Sequence, residues 1–122
     1  MNFLKLFILM GFFSSIFGAS AQSSDKVSVL SVTEFKEQIN NGKVTVIDVR
    51  TPQEYKEGHI KNAKNYNFFD VDFTSKFSSL KKDQPVYLYC RSGNRSNKAA
   101  HKLATMGFEK IYDLKGGYMA WR

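Results

Sequence analysis

With 122 residues, 43% of them hydrophobic, and one cysteine, the chain is long enough for one core, too short for two, and unable to close an internal disulfide. Its formal charge of +7 comes from scattered residues, and no lysine run exceeds Lys81-Lys82. That scatter argues against a nucleic-acid-binding stripe and leaves an anionic membrane or small anionic substrates as partners of a basic surface.

The first 21 residues are unlike the rest. They hold one charged residue, Lys5, then an apolar run over residues 6–17, then Ala19-Ser20-Ala21 ahead of Gln22. A positive start, an apolar middle too short to span comfortably and small residues at a cut site predict a secretory signal peptide over 1–21 and one domain over 22–122. A retained anchor is the alternative, but the small-residue box and the polar Gln22-Ser23-Ser24-Asp25 favour cleavage. Removal of 21 residues from 122 leaves 101, and loss of Lys5 moves the charge from +7 to +6. No later stretch is apolar enough to cross a bilayer, so the expected product is exported, periplasmic in a bacterium, and not stably inserted in a membrane.

Taken in order, residues 27–30 predict a first strand. Ser31 and Glu34 form a capping box, and Phe35 and Ile39 carry a helix to Asn40-Asn41-Gly42. Residues 44–49, VTVIDV, are β-branched and nearly unbroken, as a central parallel strand requires. Thr51 and Glu54 make a second capping box, Pro52 takes the first helical position, and Gly58 closes the helix. Residues 63–67 predict another strand. Phe69, Phe73, Phe77 and Leu80, spaced by four, four and three, predict a helix within 68–80 whose apolar stripe faces the core. Beyond a polar turn at 81–84 come a strand ending at Tyr89, a helix stopped by Gly107, a strand over 110–114, a Gly116-Gly117 turn and a short helical close over 118–122. Strands alternate with helices about five times, which predicts an α/β domain: a central parallel sheet of about five strands with helices on both faces. The loops after Val49 and Tyr89 both leave carboxyl ends of strands, where open sheets bind ligands.

The second of those loops carries the chemistry. The apolar run VYLY, residues 86–89, delivers Cys90 directly into the polar segment RSGNRS, and helical spacing then begins at Ser96 with Ala99, Ala100, Leu103 and Ala104 on one side. Backbone N–H groups of a turn and of a helix N-terminus favour negative charge, and Arg91 and Arg95 add cationic neighbours, which together favour the nucleophilic thiolate. Gly93 permits a tight turn, and Ser92, Asn94 and Ser96 are placed to donate inward. The plainer alternative is a structural cysteine buried at a strand end. Two arginines within five residues of it, and an unpaired thiol in an oxidising compartment, weigh toward chemistry.

Two segments resemble the rhodanese-like superfamily, in its single-domain form. Residues 44–67, VTVIDVRTPQEYKEGHIKNAKNYN, are similar to the family's strand, its D-V-R-x-x-x-E-[FY] segment and its G-H-I turn. Residues 85–122, PVYLYCRSGNRSNKAAHKLATMGFEKIYDLKGGYMAWR, are similar to its active-site loop and helix and its closing G-G-x-x-x-W. The resemblance implies a sulfurtransferase in which the Cys90 thiolate attacks the outer sulfur of thiosulfate or a similar anionic donor, sulfite leaves, and a thiol or cyanide later removes the sulfur from the Cys90 persulfide. A persulfide carrier that serves a partner protein without turnover is the alternative function. In either case the loop of Arg91, Ser92, Gly93, Asn94, Arg95 and Ser96 would hold the donor and stabilise anionic sulfur. Four residues separate Cys90 from Arg95, one fewer than in cysteine phosphatases, so the smaller loop suits sulfur better than a phosphoryl group. Asp48 ends an apolar strand and needs partners, which Arg50, Glu54 and His59 are near enough in sequence to supply as a structural brace. His101 is expected at the surface. No cofactor is implied, and no His, Cys and Asp spacing suggests a metal.

Overall fold

A computed structural model describes residues 25–122; the expected signal peptide lies outside the described residues. Five strands, β1 (Val27–Leu30), β2 (Thr45–Asp48), β3 (Lys64–Asn65), β4 (Val86–Tyr89) and β5 (Ile111–Leu114), form one sheet in the order β1-β5-β4-β2-β3. Every pairing is parallel. The β-branched and aromatic runs take the middle of the sheet because both faces there are covered. Side chains alternate across it: Val86, Leu88 and Cys90 enter one core, Tyr87 and Tyr89 the other.

Helix α1 (Val32–Asn40) starts at the predicted capping box, with Glu34 N–H donating to Ser31 Oγ at 3.2 Å and Ser31 N–H to Glu34 Oε1 at 3.0 Å. Its Phe35 packs edge-on against Tyr87 and Trp121. Helix α2 (Pro52–Glu57) starts at the second box and places Tyr55 on the same face of the sheet, as does α4 (Gly117–Trp121) with Tyr118 and Trp121. Helix α3 (Asn94–Thr105) covers the opposite face with Ala99, Ala100 and Leu103. Thus the helices that follow the neighbouring strands β2 and β4 leave toward opposite faces, which opens a crevice at the carboxyl ends of those two strands.

Segment 68–80 differs from expectation. In place of an α-helix it winds through turns bonded three residues apart, such as Phe73 N–H to the Asp70 carbonyl and Leu80 N–H to that of Phe77, with a 3-10 helix only at Thr74–Phe77. A step of four residues keeps a face in an α-helix but advances by a further third of a turn in a three-residue winding. Phe69 and Phe73 are separated by such three-residue turns, and Phe69 is 66% exposed. Between Phe73 and Phe77 the Lys76 N–H is shared by the Asp72 and Phe73 carbonyls, an α-like step that keeps both rings in the core, Phe77 edge-on to Tyr66, Phe73 and Phe108. The strand expected over 63–67 shrinks to Lys64–Asn65 at the sheet edge, where a short strand limits unpaired backbone.

Candidate active site

Cys90 stands one residue beyond β4, at the crevice, and only 1% of its surface is exposed. Its side chain belongs to the core on the α3 face, and one polar contact reaches the sulfur: the Gly93 N–H donates to Sγ at 3.1 Å. Gly93 adopts φ 110°, a left-handed conformation that costs a glycine little, and so the loop turns back on the sulfur and α3 begins at once, two residues before the Ser96 expected from spacing. Behind the loop, α4 holds the backbone in place. Tyr118 N–H donates to the Cys90 carbonyl at 2.8 Å and Met119 N–H to the Arg91 carbonyl at 3.0 Å. With those carbonyls bonded on the α4 side, the loop closes around the thiol.

The side chains expected to point inward divide. Ser96 is buried, and its hydroxyl donates to the Gly93 carbonyl at 3.3 Å, so it braces the turn and does not reach the sulfur. Ser92 and Asn94 are exposed, as is Arg91. Arg95 is engaged elsewhere: its Nη1 donates to Glu54 Oε1 at 2.8 Å and its Nη2 to Glu54 Oε2 at 3.1 Å, while the Phe69 ring lies 5.6 Å from its guanidinium carbon. Arg95 beside it, aided by the Thr51 hydrogen bonds, holds the Glu54 carboxyl down at about 2, well below the usual range.

Of the three residues grouped around Asp48, only Arg50 binds it. Arg50 Nε donates to both carboxylate oxygens at 3.0 Å and Nη2 to Oδ2 at 2.7 Å, and the same Nη2 reaches the Gly58 carbonyl at 2.6 Å. Tyr118 and Tyr89 face this guanidinium at 4.5 and 5.6 Å. Glu54 has turned to Arg95, and His59 is exposed, stacked on Tyr55 with Nδ1 2.7 Å from the Tyr55 carbonyl oxygen. His101 is half-buried. Asn65, not anticipated from the sequence, ties β3 to this corner by donating to the carbonyls of Asp48 and Arg50 at 3.0 and 2.8 Å.

Asp113 also escaped sequence reasoning. It is 2% exposed on β5, accepts from Asn97 Nδ2 at 3.3 Å, and leaves Oδ1 without a partner among the described residues. Burial pushes its carboxyl up, against the opposing pull of Ser96 and Asn97 in the first turn of α3. A hydrophobic alternation that called for an apolar residue at this position was the available signal.

Beside the loop lies a cleft of about 210 Å³ bordered by Arg91, Glu54, Glu57, Tyr118 and Arg122. Among the described residues, no group of three or more His, Cys, Asp or Glu side chains is gathered to hold a metal ion, and no helix is long and apolar enough to cross a membrane. The arrangement is a lone thiol at the N-terminus of a helix, under a backbone donor, with exposed and paired cations at its rim.

Comparison with known proteins supplies the context for that arrangement. The model of the rhodanese-like domain matches residues 31–122. YqhL of Bacillus subtilis is 32% identical over 120 residues, covering 98% of this chain and 92% of that protein. The thiosulfate sulfurtransferase GlpE of Pseudoalteromonas translucida is 32% identical over 95 residues, covering 75% of this chain and 86% of its own length. A crystal structure of a rhodanese-like domain protein from Staphylococcus aureus superposes with a TM-score of 0.70 at 29% identity, covering 78% of this chain and 91% of that one.

Proposed function

Because the chain belongs to the rhodanese-like domain family, we propose that it is a sulfurtransferase that moves a sulfane sulfur from thiosulfate or a similar donor to a thiophilic acceptor through a persulfide on Cys90. The observation that carries this reading is the 3.1 Å hydrogen bond from the Gly93 amide to the Cys90 sulfur, made at the start of α3. An amide donor at a helix N-terminus stabilises anionic sulfur without a proton acceptor, so neither His59 nor His101 is needed as a base.

The reaction then has two displacements. The Cys90 thiolate attacks the outer sulfur of thiosulfate, a new S–S bond forms as the old one breaks, and sulfite departs with the electron pair. A thiol or cyanide next attacks the outer persulfide sulfur, and the Cys90 thiolate is returned. Arg91 faces the incoming anion from the rim, while the loop from Ser92 to Ser96 shapes the space for one extra sulfur.

Thiocyanate formation from thiosulfate and cyanide tests turnover. Production that disappears in Cys90→Ser supports the enzyme; loading of Cys90 without thiocyanate favours a carrier that hands its sulfur to a partner protein. The 1% exposure of Cys90 supports that second reading, since a covered sulfur is protected from chance acceptors. We further propose export through the leader at 1–21, supported by Lys5, the apolar run and Ala19-Ser20-Ala21; N-terminal sequencing of the exported protein is expected to begin at Gln22, and a sequence beginning at Met1 would overturn the proposal.

A further inference from the structure

Glu54 lies on α2, yet its carboxylate sits against an arginine of the Cys90 loop, 41 residues away in sequence. It is not a side chain that settles there by chance. Oε1 accepts from Thr51 N–H at 3.0 Å and from Thr51 Oγ1 at 3.1 Å, so the cap of its own helix fixes the carboxylate before Arg95 binds it. Both terminal nitrogens of Arg95 then close on it, a bidentate pairing that is selective for a planar carboxylate.

The pair changes the charge that a donor meets. Around Cys90 the charge of Arg50 is matched by Asp48 and that of Arg95 by Glu54, which leaves Arg91 as the loop arginine without an ion pair among the described residues. The adjoining cleft adds Arg122 and Glu57, one charge of each sign, to the residues already matched. A site bearing about one uncompensated positive charge is poorly matched to a dianion. It fits a donor of lower charge.

Building on the sulfurtransferase reading, we infer that Glu54 is a specificity-determining positioning residue: by holding and neutralising Arg95 it turns the Cys90 site toward persulfides of small thiols and away from dianionic thiosulfate. The transfer balances for both donors. With R–S–SH, the Cys90 thiolate attacks the terminal sulfur, the new S–S bond forms, the original S–S bond breaks, and RS⁻ leaves with its electrons; one thiolate replaces another, and nothing is oxidised or reduced overall. With thiosulfate the same attack brings a donor of two negative charges to a loop where Glu54 already matches the charge of Arg95, so the attraction that a free Arg95 would add is missing.

The test compares loading of Cys90 by thiosulfate and by the persulfide of 2-mercaptoethanol, read as rates of persulfide formation by mass spectrometry. Glu54→Gln keeps a residue that still serves a capping box but removes the charge. The thiosulfate-to-persulfide rate ratio is expected to rise by about tenfold in this variant, the effect of removing one nearby like charge. Glu54→Asp, which keeps the charge, leaves the ratio close to that of the unaltered protein. Arg95→Gln, which exposes the Glu54 charge, lowers the ratio and serves as the test if Glu54→Gln fails to fold. Equal change in both rates, with an unmoved ratio, would reduce Glu54 to a structural tie and overturn the inference alone. Failure of both donors to load the unaltered protein overturns the sulfurtransferase reading and this inference together.

Discussion

Gly117 lies so close to Arg91 that a Cβ added to it would sit 2.5 Å from the Arg91 carbonyl carbon and oxygen. The same atom would be 2.6 Å from the Cys90 carbonyl oxygen, and the φ of Gly117 is +62°. The active-site loop and α4 are thus locked by backbone contact, with no side chain able to yield. Gly117→Ala is expected to destabilise the fold by about 3 kcal/mol or more, from backbone strain and overpacking combined. Gly42→Ala, where nothing lies within 4 Å of the added atom, is the control and should change stability by no more than about 0.5 kcal/mol. Urea unfolding of the two variants decides the matter; equal midpoints would contradict the contact.

The Asp48 and Arg50 pair is buried on both sides, so loss of one partner strands the other. Asp48→Asn leaves the Arg50 guanidinium under Tyr118 without its counter-charge and is expected to lose about 3 to 5 kcal/mol in denaturant unfolding. A loss below about 1 kcal/mol would mean that water reaches the guanidinium.

Glu54 yields a pH prediction. Its folded-state value, about 2, lies below the ordinary 4.5, so the folded protein binds this proton more weakly than the unfolded chain does. The stability that the Arg95 pair contributes is therefore complete above about 4.5 and is lost as the pH falls through about 2. Carboxyl carbon NMR titration should show the low midpoint, and Arg95→Ala should return it toward the ordinary range. A Glu54 midpoint indifferent to Arg95→Ala would dissociate the two groups.

Asp113 has the opposite sign. Its carboxyl is raised above 3.8 by burial, so the folded state holds the proton more tightly than the unfolded chain, and the group's contribution to stability falls as the pH rises through that window. Asp113→Asn removes the charge and keeps the shape. It should be more stable than the unaltered protein at neutral pH, because no charge is buried there, with the advantage shrinking in acid. Thermal unfolding at two pH values measures it, and a variant less stable at neutral pH would show that the ionised carboxylate is well accommodated.

Local chemistry made much of the fold legible from sequence. The two capping boxes, at Ser31 and Thr51, depend on residues three apart, and both formed; the unbroken runs of β2 and β4 became the buried middle of the sheet. What spacing did not disclose was set by distant partners. Glu54 satisfied a capping pattern, which fully explained it at the level of sequence, while its second role came from Arg95 across 41 residues. Phe69 kept an α-helical interval from Phe73, yet the winding of that segment put it outside, beside Arg95. Asp113 occupies a strand position whose burial follows from α3 folding over it.

The most direct measurement is intact-protein mass spectrometry after incubation with thiosulfate and, separately, with a small-thiol persulfide. The unaltered protein should gain the mass of one sulfur atom, located at Cys90 by fragmentation and removable by a thiol, and Cys90→Ser should gain none. A folded protein that stays at its original mass with both donors would contradict the claim that this thiol accepts sulfur.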